Sequence, residues 1–323
     1  MGGHFMDPQF QTCVATERRV AFRQAYEQFH LRCFSRNLSP GTLAWYKQVL
    51  TGLERFLARR YEVLHMEGIE PGHLRAYLCE LRARDISSET VHRTYGGLRC
   101  FFKFLLREGT LRHNPMELVE KPKRERHLIQ PLSAEQILAL LDQLDTESFL
   151  GRRNRVAMLL MLDSGLRLSE VLTLRLLNVD METGSALVMG KGRKERRVPF
   201  ANTTRQALET YLTLRRKIPV PSDLLIITSK GRGLTSRHLQ IMIQRMGKKA
   251  GIEGVRVSPH TLRHTCATQY IRNGGDPFSL QAILGHSTLE MVRNYVNLAS
   301  RDVYEQHRKF SPMDRLMQQA APA

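Results

Sequence analysis

Long apolar runs are missing from this 323-residue chain. A membrane-crossing helix needs about 20 predominantly apolar residues in succession. No segment comes near that, so no membrane partner is expected. The opening residues, MGGHFMDPQF, lack the charged-then-apolar order of a signal peptide, and a cytoplasmic location follows as the expectation. Cysteine is sparse. Cys13, Cys33, Cys79, Cys100 and Cys266 are scattered without a C-x-x-C pair, which excludes a disulfide frame and fits reduced thiols. No glycine-rich nucleotide loop is present, since the nearest candidate, Gly190-Lys191-Gly192, reads as a hairpin tip. Paired acids of the kind that hold Mg²⁺ are absent too. His260 and His264 have a zinc-compatible spacing, but Thr261 stands where a metalloprotease needs glutamate. Neither a metal nor any other cofactor is expected.

Acidic residues are also in deficit. The 31 Asp and Glu are outweighed by 49 Lys and Arg, a net charge of +18. Such a chain attracts polyanions through phosphate contacts and counterion release. Residues 1–130 hold 21 basic against 14 acidic residues, and residues 131–323 hold 28 against 17. Both halves are basic, as in a protein that grips DNA from two sides.

What is present is mostly helical. After a tail at 1–15, expected to be disordered, residues 16–118 carry only helical periodicity. Leu43, Tyr46, Leu50, Leu53 and Leu57 follow the start signal Ser39-Pro40, and Val91, Tyr95, Leu98, Phe102 and Leu105 follow Ser87-Ser88. Shorter helices are expected over Arg18–Cys33 and Pro71–Arg82, and the stripes read as core. Lys47, Arg93, Arg99 and Lys103 are candidate DNA contacts, each also consistent with a solvated side chain. Residues 119–132, with two prolines and Lys121, Lys123, Arg124 and Arg126, read as a linker. That run suits a strap along a phosphate backbone and an ordinary solvated connector equally well.

From residue 133 onward the pattern changes. Ser133-Ala134-Glu135-Gln136 is a helix start, and a second helix covers Arg152–Asp163. Gly165 ends that helix and Arg167 enters the next. Ser185–Gly190 and Arg196–Phe200 form a hairpin around Lys191-Gly192-Arg193-Lys194, with Leu224–Thr228 as a third strand. Helices follow over Thr203–Arg216, Thr235–Ala250, Pro259–Arg272, Pro277–Leu284 and Thr288–Asn297. Beyond Ser300, Tyr304, Phe310, Met313 and Leu316 suggest a short amphipathic helix and a loose tail.

The richest chemistry lies between Val257 and Val296. Ser258 is a good N-cap and Pro259 a good first helical residue, which puts His260 in the first turn and Arg263 on the same face. A helix N-terminus attracts anions, and an imidazole and a guanidinium there make a phosphate site. His286 and Tyr295 follow. His264 reads as a packed structural histidine. The remaining set of two arginines, two histidines, one lysine and one tyrosine suits metal-free phosphoryl transfer to a tyrosine. Ser287 and Glu290 form a capping box. Eight residues of straight helix from Ser287 would span about 12 Å, so His286 and Tyr295 can flank one phosphate only if that segment bends or breaks. A mobile tyrosine segment is expected.

The ordered set GLRLSE, GKGRKER, HTLRH, LGH and a following tyrosine resembles the tyrosine recombinases, or phage-type integrases, with the layout of the Xer branch. One motif alone is weak, whereas five in order are specific, and the likeness spans nearly the whole chain. Ser164 stands where Thr is usual, and Thr261 where Asp is frequent. The resemblance implies a mainly α protein built as a two-domain, C-shaped clamp. A helical core-binding, SAM-like domain (16–118) precedes an α+β catalytic domain (133–323) with a small antiparallel sheet. It implies Tyr295 as nucleophile, Arg167 and Arg263 on the non-bridging oxygens, Lys191 as general acid and His260 as general base. His286 would bind the phosphate or orient Tyr295, and Glu170 would support Arg167. Arg193 and Lys194 join the DNA contacts. The activity implied is site-specific recombination through a 3′-phosphotyrosine and a Holliday junction, without ATP. Its setting would be a mobile element's integration or excision, or Xer-type resolution. Partners implied are double-stranded recombination sites, a homotetramer on DNA, and an accessory protein or second recombinase. Two other readings stand beside it: relaxation of supercoils by the same chemistry, as in type IB topoisomerases, and a non-catalytic DNA-binding accessory protein. The tail past Ser300 fits both a neighbouring subunit and simple disorder.

Overall fold

The computed structural model describes residues 20–63, 65–123, 130–190, 194–219, 222–286, 288–290, 292, 293, 295, 307, 308 and 311–314. The expected tail at 1–15, the residues Tyr304, Phe310 and Leu316 beyond Ser300, and the candidates Arg124, Arg126, Lys191 and Arg193 lie outside them. Two compact units divide the chain, Met1–His127 and Leu128–Ala323. Among the described residues no helix is long and apolar enough to cross a membrane.

Among the described residues the first unit is built of helices: α1 (Phe22–Ser35), α2 (Pro40–Tyr61), α3 (Pro71–Ala83) and α4 (Ser88–Arg107). The serine signals act as expected. Ser39 Oγ accepts the Thr42 N–H at 3.2 Å and Ser87 Oγ that of Thr90 at 3.3 Å, satisfying donors a helix start would otherwise leave orphaned. The periodic leucines converge. Leu50, Leu53, Leu57, Leu98 and Leu105 are fully buried, and Phe29 meets Phe101 edge-on at 5.3 Å. Each such side chain contributes about 1.5–3 kcal/mol. Lys47, Arg93, Arg99, Lys103, Lys121 and Lys123 stay exposed, and Arg93 lies over the Trp45 ring at 5.6 Å.

The second unit opens with α5 (Ala134–Asp142), where Ser133 and Gln136 form a reciprocal capping box. Next comes α6 (Phe149–Leu162), which starts three residues before the expected Arg152 because Ser148 caps it through the Gly151 N–H. After α7 (Leu168–Thr173), β1 (Val179–Asp180), β2 (Ser185–Met189) and β3 (Glu195–Pro199) form an antiparallel sheet in that order. Then follow α8 (Asn202–Arg215), α9 (Ser236–Lys249), α10 (Pro259–Arg272) and α11 (Pro277–Leu284). Two helices form the centre of this unit. Every residue of α6 from Val156 to Met161 is buried, and so is every residue of α10 from Thr261 to Thr268. A helix buried all round has no polar stripe to spare, so the polar groups of α10 must find partners inside the protein.

Leu224–Thr228 is not a strand. Leu224 makes only an isolated bridge to Arg175, and Ile227 one to Gly233. Leu225, Ile226 and Ile227 are fully buried, as a core strand would be, but side chains have taken their ladder acceptors. Arg215 donates to the carbonyls of Ser222, Leu224 and Leu225, Tyr211 to that of Leu225, and Arg153 to that of Ile227. The sheet's third strand is β1 instead.

Candidate active site

α10 begins as its sequence directs. Ser258 Oγ accepts the Thr261 N–H at 3.2 Å and Pro259 occupies the first turn. Arg263, one turn in, is therefore carried into the interior, and it is 6% exposed. Its guanidinium donates to the Gly165 carbonyl, to the Leu284 carbonyl at 2.7 Å and to His286 Nε2 at 3.2 Å. Burial first, and then the neighbouring charge of Arg167, push its pKa down to about 10.

Arg167 stands at the N-cap of α7, just after Gly165, whose φ of +61° allows the sharp turn out of α6. Glu170, 3% exposed, reaches back to accept the Arg167 backbone N–H at 2.8 Å and its Nη1 at 3.0 Å. The same carboxylate receives both terminal nitrogens of Arg196, at 2.8 and 2.9 Å. Burial is the largest influence on Glu170 and raises its pKa. Hydrogen bonds and charge from Arg196, with the bonds from Arg167, overcome it, leaving the carboxyl below its ordinary value. Glu170→Gln is expected to cost roughly 3 kcal/mol at neutral pH, because it leaves buried guanidinium charge uncompensated. A depressed folded-state pKa stabilises the fold above the unfolded carboxyl's value of about 4.3 and loses that effect as pH falls through the folded value. Thermal melts of wild type and Glu170→Gln should therefore differ at pH 7, start to approach each other only below about pH 4.3 and converge once pH has fallen through the depressed folded value. Parallel curves would refute the assignment.

The two arginines meet at the C-terminus of α11. Helix ends leave carbonyls without intrahelical partners. Here three successive carbonyls each take a different guanidinium: Ile283 from Arg196 Nε at 2.8 Å, Leu284 from Arg263, and Gly285 from Arg167 Nη2 at 3.5 Å. Gly285 closes the helix with φ +63°, and a Cβ there would press on Arg196 at 3.0 Å.

His286 follows directly. A guanidinium only donates, so Nε2 accepts from Arg263 and the neutral ring carries its proton on Nδ1. Burial, then Arg263, Arg167 and Arg196, push its pKa down to about 4. Tyr295 is 8% exposed and packs with Ala267, Ile271, Leu280, Leu284 and Val292. Its ring lies 5.1 Å from that of His264, which is buried as expected, and 6.3 Å from that of His286, nearly parallel to it. Burial raises the phenol's pKa against the charges of Arg263 and Arg167. Thr288 and Leu289 form a bend and turn, and helix resumes at Glu290, which lets His286 and Tyr295 approach. Ser287, the expected cap, lies outside the described residues. His260 is exposed at the start of α10, and partial burial of its ring, then Arg263, lower its pKa.

Arg167, Glu170, Arg263, His286 and Tyr295 thus come together in one place. Lys194 is exposed just before β3. Sequence reasoning missed Arg196. Its signal was available in the alternation of β3, since Val198 is buried opposite Ala186 and Arg196, two residues earlier, shares that face opposite Val188. It also missed the exposed basic side chains of α9, Arg237, Arg245, Lys248 and Lys249.

Comparison with known proteins agrees with this architecture. The phage integrase family matches residues 130–301, and the N-terminal SAM-like domain of phage integrases matches residues 27–109. The chain belongs to the phage integrase family, the tyrosine recombinases, and is an enzyme of site-specific DNA recombination. It is 34% identical to the tyrosine recombinase XerC of Anoxybacillus flavithermus, over 81% of this chain and 89% of that one. It is 31% identical to XerD of Listeria monocytogenes, over 86% and 95%. In fold it resembles the integrase of transposon Tn1549, solved with a circular intermediate DNA. The TM-score is 0.73 and the identity 20%, with 92% of this chain and 99% of that one covered.

Proposed function

We propose that the enzyme cuts and rejoins DNA through a covalent link between Tyr295 and a 3′ phosphate. The observation that carries this reading is the convergence of Arg167, Arg263, His286 and Tyr295 on the last turn of α11. Tyr295 Oη attacks the scissile phosphorus and the bond to the 5′ oxygen breaks. His260, neutral because its pKa is lowered, takes the phenolic proton, and Lys191 protonates the departing oxygen. Arg167 and Arg263 hold the non-bridging oxygens, where charge grows in the transition state. His286 donates to the phosphate or orients Tyr295. The phosphate ester keeps the energy of the broken bond, so a second 5′ hydroxyl can reverse the step on a new strand without ATP.

Residues 16–118 and 133–323 each supply cations to the duplex, joined by the connector at 119–132. Lys47, Arg93, Arg99, Lys103, Lys121, Lys123, Arg124, Arg193 and Lys194 contact the phosphate backbone. The working unit is a homotetramer on two sites, acting in the cytoplasm through a Holliday junction. The similarity to XerC and XerD supports resolution of replicon dimers, and integration or excision of a mobile element uses the same chemistry. The test is covalent trapping on nicked duplexes built from DNA flanking the gene, in chelator. Adduct at the 3′ end and recombinant-length products are expected. Occupied sites without adduct would leave only a DNA-binding accessory protein, and relaxation without recombinants would make it a topoisomerase.

A further inference from the structure

We infer that Arg196 is a positioning residue for the strand-transfer site, acting on Arg167 through Glu170 and on His286 through the turn at 283–285. This rests on the function proposed above. Arg196 lies on the buried face of β3, and its side chain is 13% exposed. An arginine placed there must be matched, and this one is matched in two directions. Its paired terminal nitrogens grip both oxygens of Glu170 at 2.8 and 2.9 Å, a geometry only a guanidinium offers. Glu170 in turn fixes Arg167 by its backbone and by its side chain. The third nitrogen of Arg196, Nε, holds the Ile283 carbonyl at 2.8 Å. That carbonyl opens the turn whose next two carbonyls receive Arg263 and Arg167, and which ends at His286.

One side chain therefore links the sheet to both halves of the site. Without it, Glu170 keeps only Arg167 as a partner, and the end of α11 loses its tie to β3. A catalytic group displaced by about 1 Å can lose about 10²-fold in rate, so an effect of that order is expected from a residue that touches no substrate. Lysine keeps the charge at this position but offers a single nitrogen, which cannot serve a carboxylate in two-point fashion and the Ile283 carbonyl together.

The experiment compares wild type, Arg196→Lys, Arg167→Lys and the double variant in three measurements. These are DNA affinity, the single-turnover rate of adduct formation on nicked duplex, and amide hydrogen exchange of the free protein. Arg196→Lys should keep wild-type affinity and lose about 10²-fold in adduct rate. Its loss should not multiply with that of Arg167→Lys, because both disable one unit. Exchange should quicken in 167–171 and 283–286 and stay unchanged in α6. A wild-type adduct rate in Arg196→Lys, or a double variant whose losses multiply, would overturn the inference. So would unchanged exchange in those two segments. If wild type itself makes no adduct, the proposed function fails instead, and the exchange data alone judge Arg196.

Discussion

Tyr295→Phe is expected to occupy the same DNA sites as wild type, to melt at nearly the same temperature and to form no covalent adduct at all. The ring is 8% exposed and packs against α10 and α11, so its carbon skeleton is part of a core. Phenylalanine preserves that volume, and volume-conserving replacements usually cost less than about 1.5 kcal/mol. Chemically the change is absolute, since the attacking oxygen is gone and no bond to phosphorus can form. Folding and reaction therefore separate cleanly at this one atom. Gel-shift titration, thermal melts and a denaturing gel of trapped complexes measure the three properties. Adduct in the variant would mean that another side chain attacks, and a steep fall in melting temperature would make the hydroxyl structural. Burial leaves the phenol a weaker acid than ordinary tyrosine, so attack also requires a change around Oη.

Arg263 gives the second large effect, and there folding and chemistry do not separate. Arg263→Ala removes the donor to Gly165, Leu284 and His286 together. Each buried acceptor left unpaired costs about 1–3 kcal/mol, enough to consume much of a typical stability of 5–15 kcal/mol. Arg263→Lys is the informative variant. A single ammonium keeps the charge and part of the bonding, so the protein should fold with a moderately lowered melting temperature. It cannot span three acceptors and a phosphate, and loss of an oxyanion donor costs about 10²–10³ in rate. Single-turnover adduct formation at saturating protein should fall by that factor while affinity, set by many phosphate contacts, barely moves. A wild-type cleavage rate in Arg263→Lys would remove Arg263 from the reaction.

Much of this was legible beforehand, for identifiable reasons. α10 and α11 run over the residues expected, because Ser258-Pro259 and Asp276-Pro277 cap their starts and Gly285 stops α11 in a left-handed conformation. Motif order singles out Arg167, Arg263, His286 and Tyr295 as candidates, whereas their contacts at the end of α11 are visible only in the structure. Other features depend on where chain segments meet. Leu224–Thr228 has the composition of a strand, and only the packing of α6 and α8 reveals that Arg153, Tyr211 and Arg215 occupy its carbonyls. Those arginines also show the limit of net charge as a guide. Arg153 and Arg215 are 3% and 7% exposed, so part of the +18 is structural and unavailable to DNA. The helix expected over Thr288–Asn297 starts later among the described residues, because Thr288 and Leu289 form a bend and turn before Glu290, in line with the expected break between His286 and Tyr295.

The turn that ends α11 has one more implication, for how this site tolerates drift. Its three acceptors are main-chain oxygens, which no substitution can delete. Ile283 and Leu284 can change side chain and still present the same carbonyls to Arg196 and Arg263, provided the packing behind them survives. Gly285 has less freedom, since its left-handed backbone strains any side chain and a Cβ would stand 3.0 Å from Arg196, which would have to give way. Sequence variation in this stretch should thus be broadest at Ile283, confined to apolar residues at the buried Leu284 and narrowest at Gly285, with the guanidiniums kept in place by atoms common to every amino acid.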